Sequence, residues 1–143
     1  MIRYFTLQEL CFSATAEDRG IDNFPTWEVA NNLRDLTERI LDPLRQAWGG
    51  PINVSSGYRC PLLNTAVGGS PSSVHPLGWA ADLQPANGKT EYFIDFARSW
   101  VKASGVRFDQ FIRETDGRLV WLHISLYSPV GSQRGQFLDL VKK

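Results

Sequence analysis

The sequence predicts a single α+β domain over residues 1–143, in which helices flank a small, mostly antiparallel sheet. A chain of 143 residues has the length of one ordinary domain with one core. Its 43% hydrophobic and 12% aromatic residues are typical of a globular protein. Periodic and alternating segments follow one another in the order helix, helix, strand, strand, helix, hairpin. This order favours the α+β class.

Helix signals occur in four segments. TLQELC predicts a short helical turn, with Thr6 as N-cap and Glu9 completing a capping box, and the loop GIDNFP ends it. A long amphipathic helix follows between its cap Thr26 and Gly49, with a bend expected at Pro43. PLLNTAVGG predicts one further turn, and KTEYFIDFARSWVKASG a second long helix. We expect the tryptophans of the long helices to lie in the core: Trp27, Trp48 and Trp100.

Strand signals occur in INVSSGY, WAADLQP and FDQFIRETDGRLVWLHISL. The last of these predicts a hairpin around a two-residue turn at Asp116-Gly117. In that register His123 would lie opposite Gln110, on the same face as Glu114. A shift of one residue would place Asp109 on that face instead.

Charge and hydropathy exclude several classes of partner. Lys and Arg number 15, as do Asp and Glu, so there is no basic footprint for nucleic acid and no polybasic membrane anchor. No stretch approaches the roughly 18 apolar residues of a membrane span, and the N-terminal segment lacks the apolar core of a secretory signal. We therefore expect a monomer that is cytoplasmic at synthesis, without nucleic-acid or membrane partners.

Three residues next to strand-like segments have the donor types of a metal site. The chain has two histidines, His75 and His123, and Asp82 follows His75 by seven positions. A catalytic zinc ion typically takes three protein ligands and keeps a fourth position open to water. The small apolar residues beside Asp82 predict a carboxylate at the edge of the core, where it needs a partner. Spacing alone leaves two interpretations open, a zinc site or three polar residues that are each satisfied separately.

The segments around these residues resemble those of a known enzyme family. SSGYRCPLLNTAVGGSPSSVHPLGWAADL, followed by WLHIS, is similar to the zinc D-Ala-D-Ala carboxypeptidases and peptidoglycan endopeptidases. The family pattern runs SGYR, LN, VGG, S-x-H-x-x-G-x-A-x-D and W-x-H-x-S, and this chain has each piece in order. It looks most like the short single-domain members of phage lysins and prophages, and the likeness extends upstream through YFTLQEL and LDPLR.

The resemblance implies a zinc ion held by His75, Asp82 and His123, in a fold shared with the amino-terminal signalling domain of hedgehog proteins. It implies that Arg59 of SGYR contacts the substrate or stabilises charge developing on its carbonyl, which suits a planar, permanently charged guanidinium. It also implies that Ser73 donates a hydrogen bond to the substrate. A turn-forming serine is the alternative for that position.

The catalytic base is where the chain departs from the family pattern. Many relatives have Asp or Glu three residues before the last histidine, but this chain has Val120, whose isopropyl group cannot transfer a proton. The candidates that remain near the hairpin are Glu114, which ends FDQFIRE, and Asp109, while Asp116 is typical of a turn. Glu114 is the first choice, although the two-residue turn places it far along the hairpin from His123.

We therefore expect zinc-dependent hydrolysis of a peptide bond in the stem or crosslink peptides of bacterial peptidoglycan. The enzyme would be a carboxypeptidase or an endopeptidase, for example a prophage lysin that acts on the cell wall after release. Val120 favours an alternative, a catalytically impaired zinc module that binds cell-wall peptide or a protein partner.

Overall fold

The structure is a computed structural model that describes residues 2–142. Its helices are α1 (Leu7–Cys11), α2 (Ala14–Arg19), α3 (Trp27–Leu36), α4 (Asp42–Trp48), α5 (Pro61–Ala66) and α6 (Thr90–Ser104). A π-helical turn covers Thr37–Leu41 and a 3₁₀ turn covers His75–Leu77. Its strands are β1 (Ile52–Ser56), β2 (Ala80–Pro85), β3 (Gln110–Thr115), β4 (Val120–Ser125) and β5 (Gln136–Val141). The sequence patterns predicted neither α2 nor β5.

The five strands form one sheet in the order β1-β2-β4-β3-β5. Neighbouring strands are antiparallel, except that β5 runs parallel to β3. Together with the helices, this confirms the predicted α+β class with a mostly antiparallel sheet. Within residues 2–142, no helix combines the length and the apolar character that crossing a lipid bilayer requires.

The two faces of the sheet differ because side chains alternate along each strand. Leu83 of β2 and Leu122 and Ile124 of β4 are fully buried and share the core with Phe93 and other residues of α6. Asp82 and His123 occupy the alternate positions and therefore point away from α6. One face of the sheet thus packs in the core, and the opposite face presents Asp82 and His123.

The first long helix continues past the predicted bend through a π-helical turn. The N–H of Asp42 donates to the carbonyl of Thr37, five residues back. Pro43 then lies in the first turn of α4, where its missing N–H costs little. The Asp42 carboxylate also accepts hydrogen bonds from the backbone N–H groups of Arg3 and Tyr4, at 2.6 and 3.0 Å, which fixes the N-terminal segment to this helix.

The prediction that all three helical tryptophans lie in the core was wrong for Trp27. This residue begins α3, and 78% of its surface is exposed. Trp48 and Trp100 are half-buried and pack against the core. Helical spacing places a residue on a face, but it does not say whether that face is still covered at the end of a helix.

The two-residue turn predicted for the hairpin was also wrong. Thr115 pairs with Val120, so the loop contains four residues. The Asp116 carboxylate accepts from the N–H groups of Arg118 and Leu119, at 2.9 and 2.7 Å, and this side-chain capping stabilises the wider turn. The register therefore differs by two residues from the predicted one, which keeps every side chain on its predicted face but moves it along the partner strand.

At Gly57 the fold requires the absence of a side chain. A Cβ atom there would collide with the carbonyl oxygen of Leu10, which also accepts a 2.8 Å hydrogen bond from the N–H of Tyr58. Because the clash is with backbone, we expect Gly57→Ala to lower the free energy of unfolding by about 3 kcal/mol. Urea denaturation measures this change. Gly50→Ala is the control, since its Cβ would meet only the Trp48 ring at 3.6 Å, and equal stability of the two variants would contradict the packing described.

Candidate metal centre

His75 is fixed by a 3₁₀ turn and by one hydrogen bond from its ring. Its Nδ1 lies 2.6 Å from the carbonyl oxygen of Gly57. A carbonyl can only accept, so Nδ1 carries the proton and Nε2 is left with its lone pair. Nε2 points at Asp82, with 3.4 Å between it and Oδ1. The ring is therefore held in the tautomer that a metal ligand requires.

Asp82 and His123 meet through the sheet register. The two residues lie directly opposite each other on β2 and β4, so their side chains share one face. His123 Nδ1 is 2.9 Å from Asp82 Oδ1. His75 reaches the same oxygen from the loop, so one carboxylate is flanked by two imidazoles.

These three residues fit a zinc ion. One ligand atom from each of His75, Asp82 and His123 lies within 4.8 Å of the others. Zinc–nitrogen and zinc–oxygen bonds of about 2.0–2.1 Å in a tetrahedral site place neighbouring ligand atoms roughly 3.3 Å apart. The separations of 3.4 and 2.9 Å from Asp82 Oδ1 are close to that value. The donor set of two imidazoles and one carboxylate is also one that zinc prefers.

The protonation states of the cluster suit a cation as well. Burial lowers the pKa of His75, against the opposing effect of the Asp82 carboxylate. Burial acts to raise the pKa of Asp82, but His75 and His123 hold it well below its usual range. A neutral imidazole beside an ionised carboxylate is the form in which both residues bind metal.

Glu114 lies beside the cluster on the same face. It is buried, with 3% of its surface exposed, and its Oε1 is 4.0 Å from His123 Nδ1. Trp121, directly opposite on β4, donates its indole N–H to Oε1 at 2.8 Å. Lys142 Nζ lies 3.6 Å from Oε2. The carboxylate is therefore oriented from both sides, and the predicted distance from His123 was wrong because it rested on the two-residue turn.

Asp109, the other candidate base, forms an ion pair with Arg134. It is 1% exposed and accepts from the backbone N–H, Nε and Nη2 of Arg134 at 2.8 to 3.1 Å. Burial acts to raise the pKa of Asp109, and these hydrogen bonds lower it further than burial raises it. A carboxylate that accepts so many hydrogen bonds is a poor proton acceptor.

The two candidate bases can be separated by one substitution. We expect Asp109→Asn to destabilise the fold by about 1–2 kcal/mol, because Arg134 loses a charged partner, and to leave zinc affinity within about threefold of wild type. Thermal denaturation and zinc titration measure the two effects. Loss of zinc binding in this variant would place Asp109 in the centre.

Arg59 and Ser73 lie at the rim of the same site. The Arg59 guanidinium is within 3.4 Å of the hydroxyl oxygens of Ser56 and Ser73, and its buried Nε has no hydrogen-bond partner among residues 2–142. Burial lowers the pKa of Arg59, while Asp82 and Glu114 act to raise it. Ser73 Oγ also accepts from the N–H of His75 at 3.2 Å, so this serine shapes the turn that carries the histidine. Substrate contact by either residue stays a prediction.

A cleft of about 410 Å³ opens over the cluster. The segment of Ser70 and Ser73 forms one wall, and Arg134 with the end of β5 forms the other. His75, Glu114 and His123 line the cleft between these walls. Val120 packs against the core instead, because it lies on the opposite face of β4 from His123. An acid at that position of this strand would not reach the cleft.

Comparison with known proteins agrees with the site. The peptidase M15 family profile matches residues 3–116, most of the chain. The chain belongs to the peptidase M15 family. Membership implies a zinc-dependent metallopeptidase, a hydrolase. The M15 match includes His75, Asp82 and Glu114 and ends before His123, which joins the site through the register of β4.

One curated relative is named as a GTPase-like protein and not as a peptidase. Seventy-seven residues, 52% of this M15 chain, are 30% identical to Small GTPase-like protein LIP2 of Arabidopsis thaliana and cover 23% of that protein. The chain therefore spans about a quarter of the relative it matches. Gly88-Lys89-Thr90 of this chain matches the last three residues of the phosphate-binding loop pattern G-x-x-x-x-G-K-[ST]. The first glycine of that pattern would be at position 83, where this chain has Leu83.

Sequence reasoning missed the groups that surround Glu114. Trp121 is half-buried, and its indole N–H donates to the Glu114 carboxylate. Lys142 and Arg134 were not predicted as site residues, because the sequence patterns predicted neither the strand β5 nor the loop before it. The apolar run in QFLDLV was the available signal for that strand.

Proposed function

We propose that this chain is a zinc peptidase that hydrolyses an amide bond in the stem or crosslink peptides of bacterial peptidoglycan. The observation that carries the proposal is the position of the Glu114 carboxylate, 4.0 Å from His123 and on the cleft side of the sheet. Metal-assisted amide hydrolysis needs metal ligands and a nearby proton acceptor, which the His-Asp-His cluster and the adjoining carboxylate provide. Membership of a metallopeptidase family supports the same proposal.

The residues have separate roles in this proposal. His75, Asp82 and His123 would hold zinc, which supplies a Lewis acid and lowers the pKa of a bound water to about 7. Glu114 accepts a proton from the attacking water at a carboxylate oxygen and returns it to the leaving amine nitrogen. The hydrogen bond from Trp121 keeps that carboxylate facing the cleft. Fixed orientation matters because proton transfer requires hydrogen-bond distance.

Arg59 and Ser73 position the substrate. The guanidinium is half-buried and, in the part of the chain that the structure describes, forms no ion pair with a carboxylate. Its donors are therefore available to a substrate carbonyl or carboxylate. The Ser73 hydroxyl lies between the guanidinium and His75 and adds a donor at the rim of the cleft.

The choice of cell-wall peptide rests on the resemblance of the motifs and on charge. The chain has no net charge, which gives no reason to expect nucleic acid as a partner. We propose that the protein acts as a monomer, is made in the cytoplasm and reaches the cell wall after release, as a prophage lysin would.

The departure from the family pattern at Val120 suggested a second function, a zinc module that binds cell-wall peptide or a protein partner without cutting, but position 120 faces the core, so the missing acid there does not by itself argue against hydrolysis. That function loses support if Glu114 supplies the proton transfer. The two functions differ in hydrolysis and share metal binding.

Mass spectrometry of muropeptides tests the proposal. Purified peptidoglycan of several chemotypes is incubated with zinc-loaded protein, with chelated protein and with His123→Ala. We expect zinc-loaded protein alone to release a defined fragment, and its mass identifies the bond. If no chemotype is cut while zinc and muropeptides still bind, the binding module becomes the better account.

A further inference from the structure

We propose that strand β5 is a specificity element, in which Leu140 and Lys142 form a subsite for a carboxylate-bearing residue of the peptide substrate. The subsite lies at one wall of the cleft, next to Glu114. This inference rests on the proposed peptidase function and adds to it a chemical preference for one side of the scissile bond.

The register of β5 places these side chains in the cleft. Glu114 of β3 pairs with Leu140 of β5 in the parallel ladder, so the two side chains lie on the same face. Pairing continues beyond the strand, because the N–H of Lys142 donates to the carbonyl of Thr115 at 2.7 Å. Alternation then returns Lys142 to the face of Glu114, and both β5 residues line the cleft.

Both side chains are accessible to a ligand. Leu140 is 45% exposed, and the Lys142 side chain is 43% exposed. The ammonium group of Lys142 has three donors, and Glu114 Oε2 at 3.6 Å can take one of them. The remaining donors can bind a second carboxylate while Leu140 covers the aliphatic part of the same residue.

The charges around the cleft favour an anionic ligand. Arg134 is paired with Asp109, and Lys142 with Glu114, so these pairs contribute no net charge. The remaining charges, one positive on Arg59 and one negative on Asp82, also cancel. A divalent cation held by the cluster would therefore give the cleft a net positive charge. A peptide that carries a carboxylate is therefore attracted to it.

β5 also lies outside the part of the chain that matches the family. That match covers residues 3–116, whereas β5 covers Gln136–Val141. The strand adds Leu140 and Lys142 to a cleft whose other wall belongs to the matched segment. Such an addition can set a preference for substrate without altering the residues that carry the reaction.

The test uses a peptidoglycan stem pentapeptide, L-Ala-D-Glu-meso-diaminopimelate-D-Ala-D-Ala, and three analogues. In each analogue one carboxylate is replaced by a carboxamide: the α-carboxylate of D-Glu, the side-chain carboxylate of diaminopimelate, or the C-terminus. The proteins are zinc-loaded wild type, Lys142→Met and Lys102→Met. Lys102 is the matched control. Its Nζ lies 5.1 Å from the ring centroid of Phe137, which is on the face of β5 opposite to Leu140 and Lys142, and Lys102 does not line the cleft. The measured quantities are kcat and KM, and the Kd from calorimetry if no peptide is cut.

We expect one carboxamide to lower kcat/KM, or to raise Kd, by roughly five- to tenfold in wild type and in Lys102→Met. Lys142→Met should lose this discrimination, because its side chain no longer distinguishes a carboxylate from an amide. Equal values for all four peptides in wild type would overturn the proposal. So would a uniform fall in kcat in Lys142→Met with the discrimination retained, since Lys142 would then only position Glu114. Absence of cleavage with discrimination in Kd would contradict the peptidase function and support the subsite.

Discussion

Glu114→Gln is expected to lower kcat for peptide hydrolysis by about 10²–10⁴-fold, the contribution typical of a general base. Glutamine is nearly isosteric and can still accept from the Trp121 indole, whose hydrogen bond is 2.8 Å long. It cannot accept a proton from water. We therefore expect zinc content and thermal stability to change little, and KM to change less than kcat.

The control for this variant is Glu91→Gln. Glu91 is exposed and paired with Arg113 on the other side of the sheet, and its bonds of 2.6 and 2.8 Å are far from the cleft. The same chemical change there should leave kcat within about twofold. If Glu114→Gln retained more than a third of wild-type kcat, the base would have to be another group.

His123→Ala is expected to weaken zinc binding by at least about 10³-fold and to abolish hydrolysis, because one of three protein ligands is lost. Zinc that binds the folded state raises stability by about 2.7 kcal/mol at 100 times its Kd. The rise in melting temperature on adding zinc should therefore be seen in wild type and be absent in this variant. Isothermal titration and differential scanning calorimetry measure the two effects.

A matched pair of aspartates controls for loss of buried charge. Asp82 and Asp109 are both buried, at 6% and 1% exposure, but they have different partners. Asp82→Asn should lose zinc in the same way as His123→Ala, whereas Asp109→Asn should keep it. Equal zinc affinity in the two asparagine variants would contradict the assignment of the centre.

The assignment of Asp82 and His123 as metal ligands came from the family resemblance. The strand patterns supported it only in part, by placing both residues in strand-like segments next to the core. His75 depends on a 3₁₀ turn and on a hydrogen bond to the Gly57 carbonyl. No periodicity encodes such a loop, so only the resemblance of the motif could indicate this residue.

The distance from Glu114 to His123 was not accessible from the hairpin pattern. Asp-Gly is a strong signal for a two-residue turn, but the Asp116 side chain caps a longer loop and slides the strands by two residues. Because the register shift is an even number of residues, each side chain stays on its predicted face of the hairpin. Its partner on the opposite strand changes. Glu114 thereby comes opposite Trp121 and next to the metal ligands.

Strand β5 illustrates a second limit. Its residues are apolar on both faces, as Phe137 and Leu138 show, so alternation is weak. Its parallel pairing with β3 depends on contacts between segments that are distant in the chain. The Phe137 ring packs at 5.2 and 5.3 Å from the rings of Phe108 and Phe111, and such tertiary packing decides the strand.

The most direct test of the central claim is anomalous diffraction at the zinc absorption edge from crystals of the zinc-loaded protein. We expect one strong peak within about 2.0–2.2 Å of His75 Nε2, Asp82 Oδ1 and His123 Nδ1, with the Glu114 carboxylate facing its open side. A peak that excludes any of these three residues, or crystals that take up no zinc at this position, would contradict the assignment of the metal centre and the mechanism that depends on it.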